Sequence, residues 1–181
     1  VWGGGVGGAG GEKEDRWGEG VGEMVMSGLR EMPGYEGKPA ADEKSFVEAD
    51  GGRLFRTGDQ GGFDEEGYLR LTGRLKEIIN RGGEKSSPLE VDEILMDHPA
   101  IAQCVTFALP HPKLGEEVAA AVVLRDGQDA TEKDIRAFAA ERVADFKVPR
   151  KVLILEEIPK GATGKMQRIG MAEKLGLVQA A

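Results

Sequence analysis

Three short segments of this chain carry side chains suited to chemistry. Phe55-Arg56-Thr57-Gly58-Asp59 presents a carboxylate behind a glycine, and Gly73-Arg74 opens a basic run that ends at Asn80-Arg81-Gly82-Gly83-Glu84-Lys85. Far downstream, Pro159-Lys160-Gly161-Ala162-Thr163-Gly164-Lys165 sets a lysine on a glycine loop. A carboxylate, a fixed guanidinium and a mobile ammonium can together hold a nucleotide by its ribose and phosphate. Each residue also has a plainer reading. Asp59 fits a turn aspartate, Lys76 and Lys165 fit solvated lysines, and Gly82-Gly83 fits a hairpin turn that needs positive φ. The Walker A phosphate loop is excluded, because Pro159 stands where its first glycine belongs and Met166 where its metal-binding hydroxyl belongs.

The chain has 181 residues, of which 40% are hydrophobic and 6% aromatic, enough for one or two domains. With 32 acidic and 24 basic residues the net charge is -8. That sign opposes a nucleic-acid backbone, so no nucleic-acid partner is expected, and any phosphate site is local. Cys104 is the one cysteine and lies in the apolar run Ile101 to Leu109, which predicts a buried structural thiol. His98 and His111 lack the cysteines or paired carboxylates that would complete a metal set, so no metal site is expected. No apolar stretch approaches the roughly 20 residues that span a bilayer, and no signal peptide or C-terminal peroxisomal tripeptide is visible. A cytoplasmic or peroxisomal location follows as the expectation, and the start at Val1 reads as that of a fragment.

The elements that must position these residues fall into three stretches. Residues 1–20 are glycine-rich and predict a flexible segment. Gly5 to Gly10 formally satisfies G-x-G-x-x-G but lacks the strand before it and the helix after it that a dinucleotide site requires. Residues 21–75 predict short strands: Met24 and Met26 alternate, Leu54-Phe55-Arg56 is a second, and Phe63 with Tyr68–Leu71 flanks a turn at Asp64-Glu65-Glu66-Gly67. A short helix is expected from Ala40 to Val47. Residues 76–181 predict a compact α+β domain. Leu75–Ile79 and Glu84–Ser86 suggest a hairpin, and Ser87-Pro88-Leu89-Glu90 starts a helix that carries Val91, Ile94 and Leu95 inward. Strands follow at Ile101–Leu109 and Val118–Leu124. Thr131 opens a helix with Ile135, Phe138, Ala139 and Val143 at helical spacing, and Val152–Leu155 is a last strand. The expected fold class is α+β, a small β-rich subdomain remnant followed by a three-stranded sheet with covering helices.

Taken together, these segments resemble the C-terminal third of the adenylate-forming (AMP-binding) acyl-CoA synthetases, over roughly Gly22 to Leu175. Ala144-Asp145-Phe146-Lys147-Val148-Pro149 and Thr163-Gly164-Lys165-Met166-Gln167-Arg168 look most like plant and fungal oxalate–CoA ligases and their 4-coumarate–CoA-ligase-like relatives. The resemblance implies that residues 21–75 end the large domain and residues 76–181 form the C-terminal domain. It implies ribose binding by Asp59, ribose and phosphate contact by Arg74, a lesser nucleotide contact by Lys85 and a hinge at Lys76. It further implies a pantetheine-lining loop at Gly82-Gly83 and a catalytic role for Lys165, bridging substrate carboxylate and α-phosphate. The implied reaction joins a small carboxylic acid to CoA with ATP and Mg2+ through an acyl-adenylate. The ligands for Mg2+ and the acyl pocket would lie in a missing N-terminal large domain, leaving this fragment inactive alone. The alternative is a non-catalytic interaction or regulatory module left after loss of that domain. Lys147-Val148-Pro149-Arg150 is basic enough to touch a CoA phosphate, or is simply the loop before a strand. Three positions depart from the family pattern: Gly62 for an aromatic residue, Ser86 for Ile, and Ile169 for a second Arg.

Overall fold

A computed structural model describes residues 4–7, 21–28, 32–49, 52–161 and 164–178. The chain divides into two compact units, Val1–Lys76 and Glu77–Ala181.

In the first unit, β1 (Gly4–Gly7), β2 (Gly22–Met26), β3 (Phe46–Ala49), β4 (Gly52–Phe63) and β5 (Leu69–Arg74) form one antiparallel sheet. The short helix α1 spans Pro39–Ser45, two residues less than expected at its end, because Phe46 and Val47 join β3. Strand β4 is the spine, pairing with β2, β3 and β5 along different parts of its length. Gly61 allows this: a Cβ there would lie 2.6 Å from the Arg70 carbonyl oxygen and 3.0 Å from the Met24 sulfur. The expected turn is present, with the Asp64 carboxylate accepting from the Glu66 and Tyr68 amides at 3.1 and 2.9 Å. Those bonds, that to Tyr68 foremost, hold its carboxyl below the usual range.

The glycine-rich start differs from a uniformly flexible segment. Gly4–Gly7 pairs antiparallel with β2, Gly4 opposite Met26 and Gly7 opposite Glu23. A bare backbone can extend a sheet edge without side chains, and this places the start of the G-x-G-x-x-G match inside a strand rather than in a turn after one. Residues 8–20 lie outside the described residues.

The second unit contains β6 (Ile79–Arg81), β7 (Glu84–Ser86), α2 (Pro88–Met96), β8 (Ile101–His111), β9 (Gly115–Leu124), α3 (Glu132–Ala140), β10 (Lys151–Ile154) and α4 (Met171–Lys174). The three long strands are those the apolar runs predict, with β9 between antiparallel β8 and parallel β10. The β6–β7 hairpin joins them at Arg81 opposite Gly115, which brings the sheet to five strands. Its first arm lies later than expected, since Leu75–Glu77 forms a 3-10 turn.

Successive side chains of a strand face opposite ways, and β9 is apolar on both faces. Ala120 and Val122 pack with Val91, Leu95, Ile135 and Ala139 of α2 and α3. Ala119 and Ala121 pack with Phe107 of β8 and with Ile158, Met171 and Ala172 of the C-terminal segment. Helix α3 opens with a capping box, in which the Thr131 hydroxyl accepts from the Asp134 amide and the Asp134 carboxylate accepts from the Thr131 amide. Cys104 is buried on the α2 side, and burial pushes its thiol far up, as befits a structural residue.

Ser86 is fully buried, and among the described residues its hydroxyl has no hydrogen-bond partner. A buried unmet hydroxyl costs about 1–3 kcal/mol. Ser86→Ala is therefore expected to raise the unfolding free energy by about 1 kcal/mol in urea titration. A loss of that size would show that the hydroxyl is bonded.

Candidate functional site

In the first unit the β4–β5 register sets Asp59 opposite Arg74. The Arg74 Nε lies 2.8 Å from the Asp59 Oδ1, with the aspartate side chain 28% exposed and the arginine 65%. The strand is shaped at this point. Gly58 has φ +72°, and the Thr57 hydroxyl donates to the Met24 carbonyl at 2.8 Å while accepting from the Asp59 amide at 3.1 Å. The plain turn reading of Asp59 does not describe this place, because Asp59 lies within a twelve-residue strand. Lys76 is exposed within the 3-10 turn Leu75–Glu77, and the division between the units falls directly after it.

In the second unit Gly82 and Gly83 make the β6–β7 turn, with φ +60° and +103°. The turn is fastened to the β8–β9 hairpin. The Gly82 amide donates to the Leu114 carbonyl at 2.9 Å, the Asn80 amide donates to the Glu116 carboxylate at 2.7 Å, and Arg81 pairs with buried Glu117 at 2.6 Å. The two glycines differ. A Cβ on Gly82 would lie 3.1 Å from the Leu114 side chain, whereas one on Gly83 would meet nothing within 4 Å. Lys85 is exposed on β7 opposite Asn80.

Lys165 stands exposed on a tight loop. The Gly161 amide donates to the Lys165 carbonyl at 2.8 Å, the Gly164 amide donates to the Gly161 carbonyl at 2.9 Å, and Lys160 bridges to Met166. Ala162 and Thr163 lie outside the described residues. Directly downstream, Arg168 is held by three elements. It lies 3.1 Å from Glu77, 2.5 Å from Asp92 of α2 and 3.1 Å from the Thr106 carbonyl of β8. Asp92 also accepts from the Thr106 amide at 2.6 Å. Arg168 stands in the quoted motif, but its partners Glu77, Asp92 and Thr106 were not among the sequence candidates. The available signal was Asp92 itself, a carboxylate flanking the inward position Val91.

Other candidates are used locally. Lys147 donates to both oxygens of Glu90 at 2.6 and 2.8 Å, which binds it to α2 rather than leaving it for a phosphate. The His111 Nδ1 accepts from the Lys113 and Leu114 amides at 3.3 and 3.2 Å, and the His98 Nδ1 accepts from the Ala100 amide at 3.2 Å. Among the described residues no helix is long and apolar enough to cross a membrane.

Residues 90–165 match the AMP-binding enzyme C-terminal domain. An oxalate–CoA ligase of Arabidopsis thaliana is 48% identical over 147 residues, 81% of this chain and 28% of that protein. Among solved structures, the amide bond synthetase of Marinactinospora thermotolerans superposes with a TM-score of 0.82 at 30% identity, over 96% of this chain and 34% of that one. The o-succinylbenzoate CoA synthetase of Bacillus subtilis, solved with its acyl-adenylate intermediate, superposes with a TM-score of 0.76 at 27% identity, over 99% of this chain and 34% of that one. The same enzyme is also solved with ATP and magnesium. The chain thus spans about 28% of the length of the curated relatives it matches.

Burial pushes the Asp92 carboxyl above its ordinary value, and Arg168 pulls against that rise. A carboxyl raised in the folded state holds its proton more tightly folded than unfolded. Its contribution therefore favours the fold below the unfolded pKa and is lost as pH rises through the folded one. Without Arg168 the loss grows. Arg168→Met is expected to cost about 3 kcal/mol at neutral pH and to lose urea stability more steeply than the parent as pH rises above the ordinary carboxylate range. Adding Asp92→Asn should restore a flat profile, and equal slopes with and without Arg168 would refute the coupling.

Proposed function

We propose that this chain is the C-terminal part of an ATP-dependent, AMP-forming acid–CoA ligase, with oxalate as the acid that its likeness to oxalate–CoA ligases suggests. The carrying observation is the combination, in one chain 48% identical to an oxalate–CoA ligase, of the Asp59–Arg74 pair with Lys165 on its glycine loop. In the first half-reaction a carboxylate oxygen of the acid attacks the α-phosphorus of ATP and the bond to pyrophosphate breaks. In the second, the CoA thiol loses its proton, attacks the acyl carbon and displaces AMP.

Asp59 accepts from the ribose hydroxyls, and the exposed donors of Arg74 reach ribose and phosphate. Lys165 bridges the acid's carboxylate and the α-phosphate, stabilising charge that shifts as the adenylate forms. Lys85 is a lesser nucleotide contact. Lys76 is the hinge whose torsions exchange Lys165 for the Gly82-Gly83 loop, a reading supported by the division of the chain directly after it. Gly83 serves pantetheine approach, since its open side leaves bare backbone to a ligand. Magnesium supplies charge neutralisation on the phosphates in ATP chemistry. Among the described residues no three His, Cys, Asp or Glu side chains group to hold a metal, so no metal-bound step is assigned to this chain.

A chimera tests the assignment, with this chain replacing the matching segment of the Arabidopsis thaliana ligase. Lys165→Ala is expected to depress pyrophosphate release about 100- to 1,000-fold while sparing thioester formation from supplied acyl-adenylate. Equal losses in both half-reactions would make Lys165 structural.

Gly83→Val probes the other half-reaction. Its backbone strain is on the order of 1–2 kcal/mol, and among the described residues a Cβ at this position meets nothing within 4 Å. The chimera is expected to keep adenylation and lose thioester formation at least about 10-fold. Unchanged thioester formation would remove Gly83 from the thiol's path.

A further inference from the structure

We propose that Arg168 is a positioning residue for Lys165, fixing the glycine loop to the segment that begins at Glu77. This rests on the reading of Lys165 given above. The loop's own bonds close it upon itself: Gly161 to Lys165, Gly164 to Gly161 and the bridge from Lys160 to Met166. They set its shape. Its upstream end is anchored by Ile158, buried with Ala119 and Ala121, and its downstream end, three residues past the lysine, by Arg168.

The Arg168 guanidinium reaches Glu77 through Nε and Asp92 and Thr106 through Nη1, at 3.1, 2.5 and 3.1 Å. A planar fork bonded to three elements cannot pivot about any one of them. The side chain is 15% exposed, and its two carboxylate partners are 14% and 23% exposed, so water competes weakly for these bonds. Glu77 is the first residue after Lys76. Arg168 therefore makes Lys165 move with the chain just beyond the hinge, and a rotation at Lys76 carries the lysine without slack.

Hydrogen exchange on the 181-residue chain reads this without catalysis. Arg168→Met with Asp92→Asn removes the guanidinium and the more buried of its two carboxylate partners, and leaves Glu77, 23% exposed, to be solvated by water. The Gly161 and Gly164 amides are expected to exchange at least about 10-fold faster while those of Val118–Val122 in β9 keep their protection. Arg168→Lys, which keeps the charge and loses the fork, should fall between. Unchanged loop exchange, or an equal loss in β9, would overturn the proposal.

In the chimera the same double substitution is expected to lower kcat for adenylation about 100-fold with KM for ATP unchanged. In a Lys165→Ala background it should add no further loss, because residues that act as a unit are not additive. An additive loss would also overturn the proposal. Should Lys165→Ala leave adenylation intact, the functional reading fails alone, and the exchange result still decides what Arg168 does to the loop.

Discussion

The contact between Arg168 and the edge of β8 is the constraint on which the second unit depends. Thr106 lies mid-strand on the side of β8 away from β9, where a backbone amide and carbonyl need partners. Asp92 takes the amide and Arg168 serves the carbonyl, while the two side chains pair with each other. A helix side chain and a loop side chain together stand in for a missing strand. Burying an ion pair costs desolvation that only a complete set of hydrogen bonds offsets, and here Glu77 supplies a further acceptor. The result fixes α2, β8, the start of the unit and the C-terminal loop in one place.

The first unit is held differently. Its buried side-chain core is slight: Phe46 packs edge-on against Phe55 at 5.4 Å, with Arg53 over the Phe46 ring. Tyr68, Leu69 and Leu71 remain exposed. Backbone pairing to β4, and the close approach that Gly61 permits, carry what the core does not. Thr57 and Gly58 then aim Asp59 at Arg74 within that ladder.

Much of the second unit was legible because its signals are local and periodic. β8 and β9 are long apolar runs, and Pro88 and Thr131 mark helix starts as their chemistry requires. The hairpin was misplaced because Leu75 to Ile79 reads as a strand by composition, while the chain there turns as a 3-10 helix before Ile79 enters the sheet. Asp92 gave only the faint signal of a carboxylate beside the inward Val91. On a helical wheel it borders the buried face and looks solvated, and only the return of Arg168, 76 positions later, gives it a partner. The Gly4–Gly7 strand escaped notice for the opposite reason, since pairing through bare backbone leaves no side-chain pattern to find.

The proposed chemical groups and their supports separate cleanly by burial. Arg74 and Lys165 are exposed at their head groups, whereas Arg168, Asp92 and Glu117 are withdrawn from water. Each proposed group sits two or three residues from a tethered one: Asp59 from Thr57, Gly83 from Arg81, Lys165 from Arg168. A site organised this way keeps its reacting atoms free to meet a ligand while the backbone beneath them has nowhere to relax. Gly82 and Gly83 show the division at its smallest scale. The first is closed by Leu114 and belongs to the fold; the second faces open space, so packing gives no reason for its missing side chain beyond the turn's φ. At φ +103° Gly83 lies outside the left-handed well that Asn and Asp enter, so the backbone of the turn by itself selects glycine there, as packing against Leu114 does at Gly82.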